Sequence, residues 1–173
     1  GNVSILKEIE KRIKDKAPFC VAYADLDKFK EHKDYYGFEW GDKVIQHTAS
    51  VISGVLIEIG TPDDFLGHIG GDDFIFITDW ASIKKMCEKI IEEFNKTIPS
   101  FYKKEDLKRG YFVTYNRKKE IVNVPLLTIS IGVATNEFRS LEHIGKVIQI
   151  ITELKNYAKT FPNSIYVIDR RKD

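Results

Sequence analysis

The chain has few soft ligands. Its 173 residues hold two cysteines, Cys20 and Cys87, both inside apolar runs. They read as small buried side chains, which leaves no disulfide framework and no thiolate zinc site. The four histidines, His32, His47, His68 and His143, lack ligand spacing and are not predicted to bind metal. No apolar run reaches the roughly 20 residues of a membrane-spanning helix. No signal-peptide pattern opens the chain. The expected setting is therefore cytoplasmic, with no direct membrane contact. Charge of one sign is not in excess either: 27 basic and 26 acidic residues leave a net charge of +1. No strong field points to nucleic acid. Neither a Gly-x-Gly-x-x-Gly loop nor a Walker lysine loop is present, so any phosphate must be held by metals, lysines and free backbone N–H groups. Repeats, low-complexity stretches and linkers are also missing, and the length is that of one domain, residues 1–173.

What is there is apolar periodicity. Val3, Leu6, Ile9 and Ile13 predict a helix over 3–16, ended by Ala17-Pro18. Residues 19–26 predict a buried central strand. A short helix over 29–36 follows, and Gly37 and Gly41 are expected to break the pattern. Val44 to Ile59 marks a long helix. Residues 65–69 and 74–78 predict a hairpin around Gly70-Gly71. Another helix spans Ile83 to Phe94. A polar hairpin is expected over 111–115 and 121–124, with Asn116-Arg117-Lys118-Lys119 at its tip. Leu126 to Val133 reads as a second buried strand, 141–154 as a helix and 164–168 as a last strand. Strands alternating with helices around an antiparallel hairpin give an α/β class: a central, mostly antiparallel sheet flanked by helices, ferredoxin-like or polymerase-palm-like.

The chemistry sits in acidic residues at strand ends. Asp25 and Asp27 follow the apolar run Phe19 to Tyr23, and Asp72 and Asp73 lie in the Gly-Gly turn before Phe74-Ile75-Phe76-Ile77. If those strands pair, the carboxylates meet at one sheet edge. Clustered carboxylates repel, and hard divalent cations such as Mg²⁺ prefer oxygen ligands. That arrangement suits two-metal phosphoryl or nucleotidyl transfer. Taken alone, Gly-Gly-Asp-Asp is equally a hairpin turn. Asp27 can serve as a cap or a lysine partner, and Asp34 reads better as a cap or salt bridge than as a ligand. The cluster Lys103, Lys104, Lys108, Arg109 and Arg117-Lys118-Lys119, with Tyr102, Tyr111 and Tyr115 interleaved, reads as a solvated hairpin, not a nucleic-acid surface. Like-charge crowding leads us to expect Asp25→Ala to stabilise the metal-free chain slightly.

These residues resemble the GGDEF domain, the diguanylate cyclase family of bacterial signalling, over nearly the whole chain. The resemblance runs through Asp25-Leu26-Asp27-Lys28-Phe29-Lys30, Lys33-Asp34, Gly37-Phe38-Glu39-Trp40-Gly41-Asp42 and the signature Gly70-Gly71-Asp72-Asp73-Phe74. It continues in Thr128-Ile129-Ser130-Ile131-Gly132-Val133 and Tyr157-Ala158-Lys159. It implies Asp25, Asp72 and the Leu26 carbonyl as ligands of two Mg²⁺ or Mn²⁺ ions per site. Backbone N–H groups of Lys28 and Phe29 would cradle the β- and γ-phosphates of GTP, with Lys30 and Lys159 neutralising the triphosphate. Asp42 would read guanine, and Asp73 would activate the 3′-hydroxyl. Two such sites in a homodimer would condense two GTP into cyclic di-GMP. Gly1-Asn2 resembles the tail of the turn before the first helix, so an upstream sensor or regulatory domain is expected.

Four departures stand out. Lys33 replaces an asparagine that helps read guanine, leaving donors only, which still suit guanine O6. Asp73 is one methylene shorter than the usual glutamate. Asn163 stands in place of an arginine, and Thr61-Pro62-Asp63-Asp64 lacks the arginine of the inhibitory product site. The alternative implied by these changes is a degenerate domain that binds GTP and regulates a neighbour without turnover. A palm from another nucleotidyl cyclase or a CRISPR effector is a weaker third reading, because the Gly37 to Asp42 element argues against it.

Overall fold

The computed structural model describes residues 2–173; Gly1, and with it half of the resemblance to an upstream turn, lies outside them. The order is α1 (Asn2–Asp15), β1 (Cys20–Leu26), α2 (Phe29–Tyr36), α3 (Phe38–Ile59), β2 (Phe65–Ile69) and β3 (Asp73–Thr78). Then come α4 (Trp80–Thr97), a 3-10 turn (Ile98–Phe101), α5 (Lys104–Arg109), β4 (Tyr111–Tyr115), β5 (Ile121–Pro125), β6 (Ile129–Thr135), α6 (Ile144–Ala158) and β7 (Ile165–Ile168). The main sheet runs β2-β3-β1-β6-β7, with β4 and β5 as a separate hairpin. Among the described residues only β6 and β7 pair in parallel; the other pairs are antiparallel. Among the described residues no helix is long and apolar enough to cross a membrane.

Side chains alternate across a strand, so β1 feeds two cores. Cys20, Ala22, Ala24 and Leu26 join Phe74, Phe76, Ile131 and Val133 on the face covered by α3 and α4. Phe19, Val21 and Tyr23 join Ile75, Ile77 and Ala134 on the face covered by α1 and α6. The same alternation puts Asp25 and Asp73 on the α6 face. The sequence therefore aims both acids under α6 once β1 and β3 pair.

Gly132 fixes how low α6 sits. A Cβ added there would lie 2.3 Å from the backbone nitrogen of Lys155, so the α6 backbone rests directly on the strand. Gly132 is also the register partner of Tyr23 on β1.

Several boundaries differ from the sequence reading. Gly41 does not break a helix: it lies inside α3, buried, because the Lys33 stem needs the space of its missing side chain, with Lys33 Cγ 2.9 Å from an ideal Cβ. The second central strand starts at Ile129, and α6 runs on to Ala158. The 3-10 turn and α5 were not foreseen; helix period cannot show in elements of four and six residues. The hairpin expected to be polar also exposes Val113, Tyr115 and Ile121.

Candidate active site

Asp25 and Asp73 are direct register partners on β1 and β3, and Asp72 sits one residue earlier in the turn. Each of the three offers a carboxylate oxygen within 4.8 Å of the others. Asp25 is buried; Asp72 and Asp73 are half-buried. Burial, and then the neighbouring Asp25, hold the Asp72 carboxyl above its ordinary range. The Asp73 carboxyl is pushed up to about 7 by burial and by its contacts with Asp25 and Asp72, with its bond to Tyr23 opposing the rise. An all-oxygen donor set of crowded acids fits a hard divalent cation.

The sequence reading missed how far the cluster is already neutralised. Lys159 at the end of α6 places Nζ 3.2 Å from Asp25 Oδ2, 3.0 Å from Asp27 Oδ1 and 3.3 Å from the Leu26 carbonyl oxygen. Burial alone would lower the Lys159 pKa; Asp25 and Asp27 outweigh it and raise it. Lys155, one turn earlier, places Nζ 3.5 Å from the same Asp25 oxygen and 4.7 Å from the centre of the Tyr23 ring. The Tyr23 hydroxyl donates to Asp73 at 2.8 Å. Its own pKa is raised, first by burial and then by that carboxylate. The signals were legible in hindsight: Lys155 and Lys159 stand four apart on a helix, and Tyr23 stands two before Asp25 on one strand face.

The pair of lysines corrects one expectation. Asp25→Ala would ease the crowding on Asp72 and Asp73, but it would leave Lys155 without its carboxylate and Lys159 with Asp27 alone. Asp27 is structural, as one reading had it. Its carboxylate accepts from Thr128 and Ser130 hydroxyls as well as Lys159, tying β1 to β6.

The remaining predicted residues line the route outward. Lys28 adopts a left-handed conformation, φ 57°, turning the chain into α2, so Lys28 and Phe29 present the start of that helix beside Asp27. A cavity of about 510 Å³ opens here, lined by Asp27, Lys28, Thr128, Lys159 and Thr160 among others; it excludes Asp72 and Asp73. Lys30 is exposed and paired with Asp34 at 3.0 Å. Lys33 lays its stem on Gly41 and its ammonium 5.9 Å from the Phe38 ring centre. Asp42, the next residue, is exposed. Thus Asp25, Leu26, Asp72, Asp73 and Lys159 converge, while Lys30, Lys33 and Asp42 stand apart on the exposed side of α2 and α3. At the position of the inhibitory site, Asp64 is committed internally, accepting from Thr61 at 2.9 Å and Thr78 at 3.0 Å.

Beneath α2 lies an aromatic box the sequence did not announce. His32 is fully buried against Trp40, Tyr102 and Phe112. Its Nδ1 pairs with the Tyr102 hydroxyl at 2.8 Å. Burial lowers its pKa to about 4, offset in part by the Pro125 carbonyl. Tyr36 donates to the buried Asp106, which Arg109 also holds. The box therefore staples α2 to α5 and the β4–β5 hairpin.

The chain is similar to known proteins in family, in sequence and in fold. The family model described as "Diguanylate cyclase, GGDEF domain" matches residues 3–160. The probable diguanylate cyclase DgcT of Escherichia coli K12 is 33% identical over 84 residues, 47% of this chain and 18% of that protein. Diguanylate cyclase DgcP of Pseudomonas aeruginosa is 30% identical over 78 residues, 45% of this chain and 11% of that protein. The chain thus spans less than a fifth of these relatives. Among solved structures, the GGDEF domain of YfiN from P. aeruginosa superposes with a TM-score of 0.70 at 17% identity, covering 96% of this chain and 93% of that one. The GGDEF domain of DgcB from Caulobacter crescentus, in complex with c-di-GMP, gives 0.67 at 21% identity, covering 96% and 86%. At such identities the superpositions speak to fold alone.

Proposed function

Because the chain belongs to the GGDEF domain family, we propose that it is a diguanylate cyclase domain that condenses two GTP into cyclic di-GMP. The observation that carries this reading is the convergence of Asp25, Asp72 and Asp73 within 4.8 Å under two α6 lysines. A divalent cation held by Asp25, Asp72 and the Leu26 carbonyl would polarise the α-phosphate for attack by a 3′-hydroxyl. Lys159, which pairs with Asp25 and Asp27, would serve as the cation for the phosphates once those acids held metal. Lys30 would leave Asp34 for the same task; an exposed pair of this kind is worth little and exchanges readily. The N–H groups of Lys28 and Phe29 at the start of α2 are suited to phosphate oxygens. Asp73 would accept the proton of the attacking hydroxyl, held in place by Tyr23. Asp42 would accept from the guanine N1–H and N2–H groups, and Lys33 would donate to O6.

One chain supplies one such site, so the two transfers call for a homodimer with the sites face to face. The single domain would then be one module of a longer protein, coupled to a sensor or regulatory domain. A second reading, a nucleotide-binding regulator without turnover, is favoured by one observation: the Lys33 ammonium rests over the Phe38 ring.

The test is product chromatography after incubating the domain, fused to a constitutive dimeriser, with GTP and Mn²⁺. Cyclic di-GMP from the wild type and none from Asp72→Ala is the expected result. Silence from the wild type with product from Lys33→Asn would locate the defect in guanine recognition. Silence from all three would favour the regulator.

A further inference from the structure

The reading above gives Lys155 no chemical task, yet its ammonium is held closely against the carboxylate cluster. Its side chain is only 13% exposed. Its ammonium is 3.5 Å from Asp25 Oδ2 and 4.7 Å over the Tyr23 ring, whose hydroxyl in turn holds Asp73. Gly132, opposite Tyr23, is what lets the Lys155 backbone come this close to the sheet. The ammonium is faced on two sides, by a carboxylate and by an aromatic ring.

We propose that Lys155 is a built-in counter-cation of the carboxylate cluster, one that a divalent ion must displace from Asp25 and that thereby sets the metal affinity of the site. The inference rests on the reading that Asp25 and Asp72 hold a divalent cation. In the metal-free chain Lys155 and Lys159 share Asp25 and keep the cluster assembled. When metal enters, the Asp25 oxygen exchanges an ammonium for the ion. Lys159 is exposed enough at 28% to turn outward to phosphate. Lys155 is packed against Tyr23 and must remain as a positive charge close to the ion. Two like charges a few ångströms apart in a partly dry site weaken metal binding by about tenfold or more.

The experiment is a titration of the whole chain with Mn²⁺ alone, free ion counted by electron paramagnetic resonance, at constant pH and ionic strength. Lys155→Met keeps the stem and removes the charge; it is expected to bind Mn²⁺ about tenfold more tightly than wild type. It is also expected to melt lower in chelator and to gain more in midpoint on adding Mn²⁺. Lys155→Arg restores the cation and is expected to bind within about twofold of wild type. Equal affinities for Lys155→Met and wild type overturn the proposal, as does Lys155→Arg tightening as much as Lys155→Met. A role in packing alone would lower the melting midpoint of Lys155→Met without changing its Mn²⁺ affinity. Lys155→Gln carries the same expectation should the methionine variant not fold. Wild type that binds no Mn²⁺ overturns this proposal and the metal reading together. Wild type that binds it, with Asp72→Ala losing it, keeps the metal reading whatever Lys155→Met does.

Discussion

The two ends of the candidate nucleotide site are built differently. At the metal end, Asp25 is buried, Asp73 is held by Tyr23, and Lys155 and Lys159 lie against Asp25. Nearly every charged group there already has a partner. At the base end, Asp42 and Lys30 are exposed, and Lys33 reaches only an exposed Phe38. The metal end is set on strands and on a helix seated on Gly132; the base end is set on the outer faces of α2 and α3. On the proposed reading, chemistry that depends on sub-ångström placement would fall to the packed and partnered side chains. Recognition would fall to exposed side chains that can adjust, and the substitution from the family pattern at Lys33 lies there.

The comparison can be broken most directly at Asp72 and Asp42. Asp72→Ala should lower cyclic product by about three orders of magnitude, the scale of losing one preorganised electrostatic contact. Asp42→Ala should instead raise KM for GTP by about tenfold to a hundredfold and spare kcat more, as expected for a recognition contact. Steady-state kinetics on the dimerised domain separates the two, and equal losses in kcat would erase the distinction.

Stability gives the next effects. Gly132→Ala must push α6 off the sheet, and we expect a loss of about 1–3 kcal/mol in denaturant unfolding, typical of overpacking. Asp25→Ala should lower the melting midpoint in chelator by leaving Lys155 without a carboxylate and Lys159 with Asp27 alone, at about 2 kcal/mol after allowance for their partial exposure. Asp73→Asn should raise that midpoint, since it removes a charge from the crowded acids. A rise for both would mean that the lysines do not neutralise the cluster.

The foundation of the base end should respond to acid. His32 has a folded pKa of about 4, below its ordinary value of 6.5. The unfolded chain therefore binds the proton first, and stability is lost as pH falls from 6.5 toward 4. The difference in midpoint between His32→Phe and wild type should shift in favour of the variant across that window. A constant difference would mean His32 is not buried neutral. The smallest effect is expected at Asp34→Ala, which breaks only the exposed pair with Lys30 and should change stability by less than about 0.5 kcal/mol.

Much of this was legible in the residues. The apolar runs put Asp25 and the Asp72-Asp73 pair at strand ends, where pairing would bring them to one sheet edge, and a lysine partner for Asp27 was one of the readings its position allowed. The alternation of strands and helices indicated the sheet class, and the family motifs, in order, pointed to the candidate site. The unforeseen parts are contacts between residues far apart in the chain. Tyr23 meets Asp73 across 50 positions, and Tyr102 meets His32 across 70. Gly41 read as a breaker because only the fold shows the Lys33 stem lying in its place.

Sequence alone determined which residues are apolar, with what period, and which acids stand at strand ends, because those depend on local backbone geometry and on neighbours within a few positions. Only the tertiary structure decided that α6 rests on Gly132, that two lysines share Asp25, and that His32 lies in an aromatic box. The reason is physical: these depend on how closely a helix can approach a sheet and on which charges then fall within a few ångströms, quantities that packing of the whole chain sets and no local pattern encodes.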